Sequence, residues 1–383
     1  MALSSLHLRD ADLSLRDRFF RLSWGYILLI CLVAVTGFVV LYSAANGHWK
    51  PWAAKQFWRF VLGFGVMISV SMVGLRTWLK YAYVFYALSL FLLILVSVFG
   101  HIGMGAQRWI SLGFIRIQPS ELMKIALILA LSRYFHGGSL QDAQSISYLF
   151  VPLIMVAMPA VLVLRQPDLG TTILLTAGAG VLFFLVGVQI WKFAALGGVG
   201  LLSVPIAWRF LHDYQKERVF TFLDPERDPL GKGYHIMQSK ITLGSGGFFG
   251  KGFLQGTQSR LNFLPEKQTD FIFTVLAEEF GMVASVSLLL LYLALIFYGY
   301  MIAFRSNSFF GRLLALGLST NLFLYVFINI AMVMGLLPVV GVPLPMISYG
   351  GTVMLTLMFS FGLVECVNID REVQIGRRGA YDD

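Results

Sequence analysis

Ten apolar runs of about 18 residues or more recur along the whole chain, and that is the length a helix needs to cross a bilayer. They fall at roughly residues 24–43, 57–74, 81–99, 118–135, 146–164, 169–188, 191–210, 270–304, 312–336 and 346–366. Charged residues make up only 13% of the chain, against about 25% in an average soluble domain. The fold class read from this is an all-α integral membrane protein with ten transmembrane helices. The first run has no small-residue cleavage site and reads as an uncleaved anchor.

An even number of crossings puts both termini on one side. Thirteen Lys and Arg residues, from Arg9 to Arg378, lie on that side. The short loops opposite hold only Lys50, Lys55, Arg59, Arg108, Arg116 and Arg165. The positive-inside rule makes the termini cytoplasmic. The domain plan is then a cytoplasmic tail over 1–23, one transmembrane domain over 24–366, and a cytoplasmic tail over 367–383. A long extracytoplasmic loop, 211–269, joins helices seven and eight. The net charge of +9 is spread over loop ends, which suits acidic lipid head groups and not nucleic acid. Cys31 and Cys366 form no CxxC or Cys/His cluster, so neither a disulfide framework nor a cysteine metal site is indicated. No internal repeat is visible, which counts against an inverted-repeat transporter.

Polar residues gather in a few places. Asp270 stands where the long loop meets an apolar run, at a helix N-terminus that favours an anion. It can be an N-cap, as can Thr269, or an acid aimed at a substrate at the membrane surface. Residues 244–252, Gly-Ser-Gly-Gly-Phe-Phe-Gly-Lys-Gly, lack phosphate-loop spacing and read as tight turns, with an anion nest as the alternative. In 107–124, Pro119 suits a first helical turn. Glu121 and Lys124 then share one helical face and can pair, structurally or as part of a site. Arg165 and Asp168 staple a tight turn or face the cavity of Asp270. Glu278 and Glu279 lie about 12 Å deeper than Asp270 and read as structural pairs. The Pro/Gly-punctuated hairpin 337–351 needs burial in protein or a cavity to line.

Five of these stretches together resemble one family. They are Gln-Arg-Trp-Ile at 107–110, Gln-Pro-Ser-Glu-Leu-Met-Lys at 118–124, Gln-Pro-Asp-Leu-Gly-Thr at 166–171, Phe-Leu-Pro-Glu-Lys-Gln-Thr-Asp-Phe-Ile-Phe at 263–273 and Val-Pro-Leu-Pro-Met-Ile-Ser-Tyr-Gly-Gly at 342–351. The family is SEDS (shape, elongation, division and sporulation). The segments 228–240 and 256–259 resemble its elongation branch. The resemblance implies a peptidoglycan glycosyltransferase that polymerises lipid II outside the cytoplasmic membrane, with Asp270 as the catalytic residue. Asp270 would deprotonate the acceptor sugar hydroxyl, and a polyprenyl diphosphate would leave. Candidate substrate-binding residues are Arg108, Trp109, Gln118, Ser120, Glu121, Lys124, Arg165, Asp168, Lys240 and Ser348. Of these, Lys240, Arg108 and Lys124 are the candidates to meet the diphosphate.

The family also implies a divalent cation, Mg or Mn. Its implied partners are a class B penicillin-binding protein and the elongation machinery, the former docked on spans eight and nine, where Asn321 and Asn329 hydrogen-bond either across helices or internally. The rival readings are a lipid-precursor flippase, or a non-catalytic scaffold for the penicillin-binding protein.

Overall fold

The computed structural model describes residues 13–99, 101–103, 106–111, 116–139, 141–210, 216–217, 220–222, 224, 232–260 and 266–376. The first twelve residues of the predicted N-terminal tail, the turn at 225–229, Phe263-Leu264-Pro265 and the C-terminal tail beyond 376 lie outside them. The helices are α1 Leu15–Phe20, α2 Trp24–Ala44, α3 Ala53–Met72, α4 Leu75–Phe99, α5 Pro119–His136, α6 Ile146–Arg165, α7 Leu169–Leu185, α8 Ile190–Phe210, α9 Lys232–Ser245, α10 Thr257–Arg260, α11 Ile272–Arg305, α12 Phe309–Val333 and α13 Gly351–Ile369. Helices α2–α8 and α11–α13 overlap the ten apolar runs, with ends that differ by up to about six residues.

Among the described residues, α2, α4, α6, α11, α12 and α13 are long and apolar enough to cross a membrane, and α7 and the first part of α8 are apolar but shorter. Helices α3 and α5 carry charge: Lys55 and Arg59 in one, Glu121, Lys124 and Arg133 in the other. The most apolar stretches of α12 and α13 are 78% and 83% buried, against 22% and 28% for α4 and α6. The first two therefore form the centre of the bundle and the last two its rim. Helix starts follow local chemistry. Pro119 opens α5, and Asp168 caps α7 by accepting from the Thr171 N–H at 3.1 Å.

The fold is all-α, with one small addition that the sequence reading did not contain: the loop after α4 forms a small antiparallel sheet of β1 (His101–Gly103), β2 (Ala106–Ser111) and β3 (Arg116–Ile117). The registers pair His101 with Trp109 and Ile110 with Ile117. Strands of two to six residues leave almost no periodicity to read.

The first and last described segments meet at one end of the bundle. Arg18 of α1 donates to both oxygens of Asp370 at 2.8 and 3.2 Å, and Asp370 also accepts from the Leu75 N–H at 2.7 Å. Near it, the Asn307 N–H donates to the Arg371 carbonyl.

At the opposite end, α11 breaks at Gly281, whose φ of 74° and ψ of −166° are non-helical. A break in a helix orphans backbone groups, and at membrane depth only protein can satisfy them. The glycine-rich loop after α9 does so. The N–H groups of Lys251 and Gly252 donate to the carbonyls of Glu278 and Glu279, and those of Met282 and Val283 donate to the carbonyls of Gly247 and Phe248. The loop therefore fills a helix break. Gly246 and Gly250 are steric requirements: a Cβ on Gly250, where φ is 78°, would stand 2.1 Å from the Glu279 carbonyl oxygen. Gly250→Ala is expected to lower stability by at least about 2 kcal/mol, the worth of two backbone bonds plus the strain. Thermal unfolding in detergent measures this, with Gly244→Ala as the control, since a Cβ there meets nothing within 4 Å. Equal midpoints for the two variants would dispose of the steric account.

Candidate active site

Asp270 lies in the tight turn that enters α11. The Thr269 and Phe271 N–H groups donate back to the Glu266 carbonyl, at 3.1 and 3.4 Å. The N-cap position belongs to Phe271 and has no side-chain cap, while the Thr269 hydroxyl donates to the Glu266 carboxylate at 2.7 Å. The capping reading of Asp270 and Thr269 is thereby overturned, because the turn carries the chain past the cap position before the helix begins. Asp270 is half-buried, and its Oδ2 is 3.5 Å from where a Cβ on the exposed Gly341 would stand. Beside it, burial lowers the pKa of Lys267 below the ordinary lysine value, because a desolvated ammonium is disfavoured.

The hairpin that follows α12 is stitched to this turn. Ser348 donates through Oγ to the Thr269 carbonyl at 2.6 Å and accepts from the Leu344 N–H at 2.8 Å. The Tyr349 N–H donates to the Gln268 carbonyl at 2.8 Å. Gln56 of α3 donates to the Ser348 carbonyl at 3.0 Å, and Tyr292 of α11 to that of Pro345 at 2.5 Å. Asn329 of α12 donates twice, to the carbonyls of Asp270 at 2.9 Å and Val342 at 2.7 Å. Irregular backbone at this depth thus has partners on α3, α11 and α12, as burial requires.

A second cluster stands beside the first. Arg108 of β2 donates to the carbonyls of Gln166 (3.1 Å) and Pro167, and its Nε is 3.7 Å from Asp168. Gln118 donates to Ser120 at 3.1 Å and to Asp168 at 3.3 Å. One turn along α5, Lys124 is paired with Glu121 at 2.7 Å. Tyr325 of α12 closes the group by donating to Glu121 at 2.5 Å and accepting from Lys124. The two clusters meet at Gly170, where a Cβ would stand 2.7 Å from the Val340 carbonyl of the hairpin that carries Gly341.

The predicted residues Arg108, Gln118, Ser120, Glu121, Lys124 and Asp168 are therefore gathered together, and Ser348 joins Asp270. Trp109 is half-buried in β2. Two lie outside both clusters. Arg165 is exposed at the end of α6, and the exposed Lys240 of α9 lies against Gly335, whose Cβ would stand 2.2 Å from its Cε. Glu278 pairs with Lys251 at 2.8 Å, and Glu279 accepts from Ser43 at 2.5 Å, in keeping with their structural reading.

Sequence reasoning missed Gln56, Arg59 and Tyr325. Arg59 reads as a loop-end charge, yet it sits in the first turns of α3 with its guanidinium 4.5 Å above the Tyr349 ring. Gln56 and Arg59 are three apart on one face of an otherwise apolar run, which was the available signal. Tyr325 gave none, being an aromatic in an apolar helix.

Among the described residues no group of three or more His, Cys, Asp or Glu side chains is placed to hold a metal ion.

Fold and site together define a polytopic membrane protein with an acidic turn framed by buried backbone bonds at the end away from the Arg18–Asp370 pair. Residues 18–374 match the FtsW/RodA/SpoVE family described as cell cycle protein. The peptidoglycan glycosyltransferase MrdB of Escherichia coli K12 is 44% identical over 91% of this chain and 94% of its own. MrdB of Helicobacter pylori 26695 is 38% identical, covering 89% and 88%. A chain from a peptidoglycan synthase complex that coordinates polymerization and crosslinking superposes with a TM-score of 0.81 at 32% identity, covering 91% of this chain and 98% of that one. The rod shape determining protein RodA of Thermus thermophilus gives 0.69 at 28%, covering 92% and 98%. The chain belongs to the FtsW/RodA/SpoVE, or SEDS, family.

Proposed function

We propose that the chain is a peptidoglycan glycosyltransferase of cell elongation that polymerises lipid II, with Asp270 as the general base. Its likeness to the MrdB and RodA proteins supports the activity. The observation that carries the base is the frame around Asp270: a half-buried carboxylate, not used for capping, whose backbone is tied to α12 and whose Oδ2 faces an exposed glycine. Such a carboxylate takes the acceptor hydroxyl proton as the oxygen attacks the anomeric carbon of the donor. The diphosphate leaves as an anion, so positive charge and not an acid is wanted there. A single displacement inverts the anomeric centre, as in inverting glycosidases.

Arg108 and Lys124 are committed to internal partners. Arg59 stacks its guanidinium over the Tyr349 ring of the hairpin bonded to the Asp270 turn, and its Nη1 is enclosed without a hydrogen-bond partner. Arg59 is accordingly the favoured cation for the diphosphate, with Lys240 the exposed alternative. Arg59→Gln is expected to lower kcat/KM for lipid II roughly 10–100-fold, the worth of a hydrogen bond to a charged group. An unchanged kcat/KM would remove Arg59 from this role. The divalent cation implied by the family would enter with the phosphates of the substrate, and no step here runs through it.

The ten helices are taken as ten crossings, with both termini cytoplasmic and the site outside. Support comes from the Lys/Arg asymmetry and from the Arg18–Asp370 pair at the end away from Asp270. For the class B penicillin-binding protein the apolar exposed face of Leu290, Leu293 and Phe297 on α11 with Phe323 and Phe327 on α12 is the docking surface. Asn329 bonds internally and Asn321 is buried, so neither takes part. Against a flippase stands the internal pairing of Glu121, Glu278 and Glu279. The decisive experiment gives purified protein labelled lipid II with Mg or Mn and compares the parent with Asp270→Asn.

A further inference from the structure

Asn329 is fully buried, at 0% exposure, in the middle of the assembly that holds Asp270. Its side-chain amide has two N–H bonds and uses both, one on the Asp270 carbonyl and one on the Val342 carbonyl. Its Oδ1 is enclosed and has no hydrogen-bond partner. Turning the amide over would set oxygen against two carbonyl oxygens, so the two carbonyls fix its orientation. An acceptor left unpaired in a buried site is a standing cost, and such exceptions call for an explanation. Here the amide bridges two separate pieces of irregular backbone. Asp270 lies in the turn before α11 and Val342 in the hairpin after α12, and the residue next to Val342 is Gly341, the one faced by the carboxylate. Only a residue with two donors on one short side chain can hold both carbonyls from a single position on α12.

We propose that Asn329 is a positioning residue for the glycosyl transfer: it sets the gap between Asp270 and the Gly341 backbone, and with it the approach of the acceptor hydroxyl to the base. It never touches the reacting atoms. Four residues earlier on the same helix, Tyr325 holds Glu121. One face of α12 therefore fixes the two clusters relative to each other, since residues four apart share a face. The inference rests on Asp270 being the base.

The test compares Asn329→Leu and Asn329→Asp with the parent in the lipid II assay, reading kcat and KM separately across pH, with thermal unfolding alongside. Asn329→Leu keeps the volume and removes both donors. It should lower kcat at least 10-fold, with KM for lipid II changed less than threefold. Asn329→Asp has no donor when ionised and a single O–H when protonated, one of the two that the clamp uses, so its kcat should recover in part relative to the parent as pH falls. If both variants keep the parent kcat and pH profile while Asp270→Asn is inactive, the clamp is wrong and the base stands. A loss of kcat and unfolding midpoint together, with no recovery of Asn329→Asp at low pH, would make Asn329 merely structural and also overturn the proposal. If Asp270→Asn polymerises like the parent, the reading underneath has failed instead.

Discussion

Asp270→Asn is expected to abolish glycan polymerisation, lowering the rate about 10²–10⁴-fold while the protein stays folded. The range is what a positioned general base contributes. The substitution keeps shape and removes basicity. Stability should hold, because what anchors this turn is backbone: the Asp270 carbonyl on Asn329, the Thr269 carbonyl on Ser348 and the Gln268 carbonyl on Tyr349. None of these uses the carboxylate. The carboxylate does not cap α11 either, so no helix start is lost. Lipid II KM should change little, since a base acting on the acceptor proton is needed chiefly in the transition state. The same assay separates the rivals. A non-catalytic scaffold yields no polymer from the parent, and a flippase moves labelled lipid II across vesicles without lengthening it. Equal polymer from the parent and a folded Asp270→Asn would take the base assignment away.

Much of this fold is written locally. The helices long and apolar enough to cross a membrane follow from run length, because a bilayer imposes a minimum on any crossing helix. Pro119 and Asp168 mark helix starts through their own backbone chemistry. The break in α11 was legible in part. At 1.5 Å per residue, 34 residues make about 51 Å of helix, well beyond a ~30 Å hydrocarbon core. Gly281 and the glycine-rich loop were the remaining clues, yet that each completes the other depends on contacts across some thirty residues. The site divides in the same way. Glu121 and Lys124 declare themselves as neighbours on one helix turn. Tyr325, 204 residues from Glu121, and Asn329, 59 from Asp270, do not. Their partners are set by packing, and an apolar helix gives no sign of which polar residue points inward. The capping reading of Asp270 went wrong for a related reason: composition marks the boundary of a helix, but the turn geometry decides which residue occupies it.

Lys124→Met should be the most destabilising single change in the second cluster, at about 3–5 kcal/mol, with little of that due to the methionine. An apolar side chain is welcome at that depth. What remains is Glu121, 5% exposed, with its cation removed, and breaking one half of a buried pair carries a cost of that size. Tyr325 can still donate to one carboxylate oxygen, but a neutral hydroxyl does not compensate the charge. Combining Glu121→Gln with Lys124→Met should recover most of the loss. The glutamine keeps an acceptor for Tyr325 and brings no charge, and neutral replacement of a whole buried pair is often harmless or better. Activity then reports what stability cannot. If the cluster only fixes α5 against α12, the double variant regains polymerisation along with its unfolding midpoint. If the ammonium itself serves the substrate, the double variant is stable and inactive. A Lys124→Met protein that unfolds with the parent would mean that the pair contributes nothing, and the geometry of three buried groups within hydrogen-bond reach makes that the least expected result.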